Sequence, residues 1–189
     1  MDKRSPENCK DKILYFSPND NGISYFTNAL IYIGEHNEQG SLGLIINRPL
    51  EITTKQFYES MGIKVTSNLA QKKLLMGGPV NPGAVFILHS ADTEWDSTML
   101  INEHISLSTS KDILEAIAIG NGPVDYLITL GYSGWESHQL EEEIFENAWI
   151  SAPLDYRIIF KMEPEDKIKG LSDLLGFNVE MVSPNPGNA

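Results

Sequence analysis

Short apolar runs, four to seven residues each, recur along this 189-residue chain with turn residues between them, and they leave few architectures open. ILYF from Ile13, ALIYI from Ala29, LGLII from Leu42 and AVFIL from Ala84 read as strands. So do TMLI from Thr98, VDYLITL from Val124, YRIIF from Tyr156 and a last run, NVEMV, from Asn178. Several of these are continuous rather than alternating, which predicts a sheet covered on both faces.

Helical signals lie between the runs. Thr53 is a candidate N-cap for a helix that stops at Gly62, and Thr109 or Ser110 one for a helix that stops at Gly120. A third helix is expected after Ser137 as N-cap, with Leu140, Ile144 and Phe145 spaced at i, i+4 and i+5 and Glu141, Glu142 and Glu143 near its positive end. A fourth opens at Pro164 and closes at Gly176. Strands and helices are interspersed without strict alternation, so an α+β fold with a mixed sheet and flanking helices is expected. Residues 12–183 are read as a single domain, between polar tails 1–11 and 184–189 that look disordered.

Composition narrows the function. The formal net charge is -12, from 26 acidic and 14 basic residues, which opposes direct binding to duplex DNA. Cys9 is the single cysteine and stands in the polar N-terminal stretch, so neither a disulfide framework nor a C-x-x-C metal site can form. MDKRSPENCKDK lacks the apolar centre of a signal peptide, and no run reaches membrane-spanning length. A cytoplasmic protein without membrane partners is expected.

Chemistry must come from few residues. In GYSGW, Ser133 follows Gly131, but the next glycine is Gly134 and Trp135 stands where a nucleophile elbow needs its second glycine. A glycine-rich turn out of a strand explains the motif better than a nucleophile. His138 with Glu141 and Glu142 has the spacing of a metal-binding helix face, yet no third ligand is nominated, and a solvated helix start accounts for it. No metal and no cofactor are expected. His104 reads as a surface-turn residue. His89 ends a strand, where a binding side chain can project, or where local backbone can satisfy it. His36 lies in the acidic, amide-rich turn GEHNEQG. Arg48, in INRP, follows a buried strand and is fixed by Pro49, a fork suited to a carboxylate or phosphate group, or to a structural ion pair. MGGPV lacks the lysine and spacing of a phosphate loop, and tight backbone geometry is its simpler use.

Taken together, IYIGEHNEQGSLGLIINRPL, MGGPV, ILEAIAIGNGP and LGYSGWESHQLEEEIFENAWISAP resemble the AlgH/YqgE family of bacterial proteins, from about Lys12 to the C-terminus. The resemblance implies a cytosolic bacterial protein with a strongly curved or barrel-like sheet, flanking helices and a role in regulating transcription. It carries family motifs onto Glu35, His36 and Asn37, onto Asn47, Arg48 and Pro49, onto Gly77, Gly78 and Pro79, and onto Glu146 to Trp149. Two positions depart from it. Gly34 stands where the family often has cysteine, and Ser133 where it commonly has alanine, a replacement no nucleophile survives.

The candidate binding residues are therefore Glu35, His36, Asn37, Asn47, Arg48, Gly77, Gly78, His89, Trp135 and Asn147, with no catalytic residue assigned. They suit a non-catalytic regulatory protein acting through an unknown protein or small anionic ligand. The alternative is an enzyme acting on a small anionic molecule. Its mark would be a pocket in which His36 or His89 meets Arg48 or a carboxylate.

Overall fold

A computed structural model describes residues 8–16, 24–68 and 72–182. Residues 1–7 and 184–189 of the two expected tails lie outside these. The elements in chain order are β1 (Lys12–Phe16), β2 (Leu30–Asn37), β3 (Gly40–Ile45), α1 (Thr54–Ser60), β4 (Leu75–Met76), β5 (Val80–Ser90), β6 (Thr98–Leu100) and β7 (Ile105–Ser108). They continue with α2 (Lys111–Ile119), β8 (Tyr126–Glu136), α3 (Gln139–Phe145), β9 (Trp149–Pro153), α4 (Tyr156–Phe160) and α5 (Lys167–Leu175). The class is α+β, and the sheet pairing is mixed: every ladder is antiparallel except that of β4 with β8.

Two compact units partition the chain, one formed by residues 1–47 and 133–189 and the other by residues 48–132. In the first, β9, β1, β2, β3 and residues 133–136 of β8 pair in that order. Ile13, Leu14, Tyr15 and the run from Leu30 to Ile33 are wholly buried, as continuous apolar strands predict. Their core gathers Leu14, Ile31, Ile33 and Ile45 with Trp135, Leu140 and Trp149. In the second unit the order is β6, β7, β5, residues 126–132 of β8, and β4. Its core packs Phe57 and Tyr58 of α1 and Ile113, Leu114 and Ile117 of α2 onto Ile87, Tyr126 and Ile128.

Three helices keep the expected ends. Thr53 caps α1, Ser110 and Gly120 bracket α2, and Gly176 closes α5 in the left-handed region. Elsewhere the chain departs from expectation. YRIIF forms α4 rather than a strand, because the Asp155 carboxylate accepts hydrogen bonds from the backbone N–H groups of Arg157 and Ile158 and starts a helical turn against the β preference of its isoleucines. NVEMV forms a 3-10 turn, Val179–Met181, capped in the same way by Asn178. His138, not Ser137, takes the N-cap position of α3, with a left-handed φ of 65°. Gly131 to Gly134 lie inside β8 rather than on a turn. Cys9 is buried, so packing begins ahead of residue 12. Strands β4 and β7 are too short or too polar to have declared themselves.

Candidate functional site

The first cluster of chemical groups sits at the β2–β3 hairpin. Gly40 closes the turn with φ 134°, and a Cβ there would lie 2.2 Å from the Trp135 carbonyl oxygen, so only glycine fits. The turn sets His36 directly across from Ser41 in the antiparallel register. His36 Nδ1 lies 2.8 Å from Ser41 Oγ. On its other side His36 Nε2 lies 3.6 Å from Glu141 Oε1 of α3, with side-chain exposures of 8% and 19% for the two residues. Glu141 Oε1 is also 3.7 Å from His138 Nδ1. The carboxylate favours a proton on His36 Nε2, which leaves Nδ1 to accept from the Ser41 hydroxyl. Glu35 and Asn37 point outward from the same strand, where Asn37 Nδ2 donates to Glu35 Oε1 at 2.8 Å and Asn37 Oδ1 accepts from Gln39 N.

Ser41 also lines a cavity of about 190 Å³, together with Glu35, Asn37, Gln39, Leu42 and Trp135. Trp135 is otherwise core. Its ring packs edge-on to Trp149 at 5.8 Å, and both indole N–H groups donate to Glu143 Oε2, at 2.9 and 2.7 Å. One half-buried carboxylate oxygen thus satisfies two donors that the aromatic cluster could not otherwise bury.

The remaining candidates take up structural duties. Asn47 accepts from Leu30 N at 2.8 Å and donates to Asn28 O at 2.9 Å, tying the start of β2. The Arg48 carbonyl accepts from Met76 N. Gly77 donates its N–H to Leu130 O, and a Cβ there would meet the Gly131 carbonyl oxygen at 2.2 Å; Gly78 beside it is buried. The glycines of MGGPV thus serve close backbone approach. Asn147 holds a left-handed φ of 60° in the turn after α3. His89 is completely buried, with Nδ1 2.8 Å from Ser90 O and Nε2 2.9 Å from Ser108 Oγ. Burial holds its pKa below the ordinary imidazole value, although the Ser90 carbonyl and Asp92 pull it upward. Ser133 is buried within β8, opposite Gly43. Exposed His104 sits beside Glu103 at a bend. Among the described residues no group of three histidine, cysteine or acidic side chains could hold a metal ion.

A more voluminous cavity lies in the second unit and was not legible in any motif. It measures about 870 Å³ and is bounded by the segment after Pro49, the start of α1 and residues 63–68. Leu50, Ile52, Ile63 and Val65 give it apolar walls, Thr53, Thr66 and Ser67 hydroxyl groups, and Lys55, Lys64 and Lys73 cationic ends. Of these lysines, Lys55 pairs with Glu59 at 3.8 Å.

A mixed-sheet α+β chain with a histidine-bearing hairpin and a separate amphipathic cavity defines the class structurally, and comparison with known proteins places it. The chain belongs to the AlgH-like family, whose model matches residues 14–180. It is 40% identical to the UPF0301 protein of Thioalkalivibrio sulfidiphilus over 164 residues, 87% of this chain and 88% of that one. It is also 40% identical to a UPF0301 protein of Ralstonia pickettii, over 88% of both chains. The solution structure of the AlgH protein from Pseudomonas aeruginosa superposes with a TM-score of 0.78 at 36% identity over 100% of both chains. A crystal structure of a Corynebacterium diphtheriae protein shares the fold at a TM-score of 0.62 and 17% identity, over 83% of this chain and 81% of that one.

Proposed function

We propose that this is a cytoplasmic regulatory protein that binds a small amphipathic anion in the cavity of its second unit and acts on transcription through a partner rather than on DNA itself. The observation that carries the reading is the cavity: about 870 Å³, within the size range of small-molecule sites, and walled by apolar side chains with lysines at its edge. In a chain of net charge -12, three lysines against Glu51 and Glu59 make this lining locally cationic. An acyl or aromatic body with one carboxylate matches that lining. The regulatory part rests on family resemblance. Among the described residues no helix is long and apolar enough to cross a membrane.

Octanoate is a suitable probe. Titrated into the isotope-labelled protein, it should give saturable amide shifts at Leu50, Ile52, Ile63 and Val65, and Lys64→Glu with Lys73→Glu should weaken binding about tenfold, the loss of roughly 1.4 kcal/mol of attraction. Shifts that never saturate, or that fall on other residues, would refute the assignment. One observation favours the enzymatic alternative instead: His36 does meet a carboxylate, that of Glu141.

A further inference from the structure

The wall of the cavity beside α1 contains a strand without a sheet, and we infer that the site takes the C-terminal end of an extended peptide, paired to that wall by main-chain hydrogen bonds. That assignment rests on the ligand-binding reading of the cavity and names the class of its anion. Ile63 to Thr66, IKVT, alternates apolar and polar residues, and three of the four are β-branched, the composition of a half-buried strand. The segment nevertheless lies outside every ladder. Its ends are tied: Ile63 N donates to Tyr58 O at 2.9 Å, and Thr66 N and Ser67 N donate to Ala118 O at 3.0 and 3.1 Å. Between these ties the backbone N–H and C=O groups of Lys64 and Val65 make no hydrogen bond among the described residues. Those of Glu51 and Ile52, just past the bond from Leu50 N to Leu74 O at 2.8 Å, make none either.

The lining sets what such a peptide carries. Residues 63–68 all border the cavity. Neighbouring side chains of an extended segment point to opposite faces, so a run of consecutive lining residues meets the cavity with its backbone edge as well. A ligand that only fills apolar volume leaves those backbone groups to water, whereas an added strand pairs them, the mode by which sheet edges take peptides. Ile63 and Val65, two apart and so on one side of the segment, join Leu50 and Ile52 as the apolar walls. Apolar residues therefore belong at the last position of the peptide and at the one two before it, with a polar residue between. Lys64 and Lys73 attract the terminal carboxylate, while Glu51 and Glu59 disfavour a second acidic group. A chain end unites all three requirements: an apolar side chain, a main chain that pairs, and one carboxylate. The volume of about 870 Å³, toward the upper end of the range for small-molecule sites, has room for several residues.

The probe is acetyl-Ser-Leu-Thr-Leu with a free carboxyl end, titrated into the isotope-labelled full chain. It should bind saturably and slow hydrogen exchange at the Lys64 or Val65 amide about tenfold, a protection that octanoate does not give. Amidating its C-terminus should weaken binding about tenfold. Only alternate amides of a strand face one neighbour, so methylating the Thr nitrogen and methylating the last Leu nitrogen should differ, one lowering affinity about tenfold and the other leaving it unchanged. Saturable binding of octanoate without binding of the peptide would overturn the assignment and leave the ligand-binding reading of the cavity intact. Failure of both probes would overturn both. Equal affinity of the two methylated peptides, or unprotected amides at Lys64 and Val65 in the complex, would show an apolar ligand without strand pairing and would also overturn the assignment.

Discussion

His89 shows how a residue that looks functional in sequence is consumed by the core. It ends the run AVFILH at a strand terminus, but its two ring nitrogens are spent on Ser90 O and Ser108 Oγ, and Ser108 Oγ is a further 2.8 Å from Thr98 Oγ1. The hydrogen bond to a carbonyl fixes the proton on Nδ1, so the ring is buried neutral. Its folded pKa lies below the unfolded value of about 6.5, with burial as the main cause. The unfolded chain therefore takes up the proton first as pH falls. The stability this group contributes is complete above about pH 6.5 and is lost as pH drops from there toward the folded pKa. Urea midpoints should accordingly be lower at pH 5.5 than at pH 7.5, and His89→Gln should flatten that difference. An unchanged pH difference in the variant would show that other groups carry it. His36 is the opposite case, a histidine read as part of a turn that lies on β2 and contacts both a hydroxyl and a carboxylate.

Helix α1 depends on its first turn. Gln56 N donates to Thr53 Oγ1 at 3.2 Å, and Thr53 N donates to Gln56 Oε1 at 3.0 Å, a reciprocal box that satisfies two N–H groups the helix leaves open. Thr53→Ala should cost about 1 kcal/mol in urea unfolding. A midpoint that does not move would mean tertiary packing of Phe57 and Tyr58 alone sets this helix. The Thr53 cap, the Gly120 and Gly176 stops and the buried strands were legible because each is written in neighbouring residues. Helix α4 was not, since YRIIF has strand composition and only the Asp155 side chain turns it. The Ser41–His36 neighbourhood was half legible: a two-residue turn between His36-Asn37 and Gly40-Ser41 implies cross-strand pairing, but GEHNEQG read only as an acidic, amide-rich turn. Glu141 could not be assigned to His36 at all, because that contact depends on where α3 lands. The cavity beside α1 escaped for a related reason, its lining having no periodicity or motif of its own.

At the scale of the whole molecule, charge decides which partners are open to it. Condensed counterions around duplex DNA are displaced by lysine and arginine, and base readout is built upon that contact. This chain has 14 such residues against 26 acidic ones, and helix α3, which brings Glu141 to the hairpin cluster, carries three glutamates and no basic residue. The lysines that do gather, Lys55, Lys64 and Lys73, surround a cavity with apolar walls, a setting for a small amphipathic anion more than for a phosphate backbone. The central claim is that any influence on transcription passes through a bound small molecule or protein partner. Fluorescence anisotropy of labelled duplex DNA with the purified full chain, at low and at physiological salt, tests it most directly. The account predicts no saturable binding at micromolar protein under either condition. Submicromolar binding that weakens steeply with salt would contradict it and make the protein a direct DNA binder.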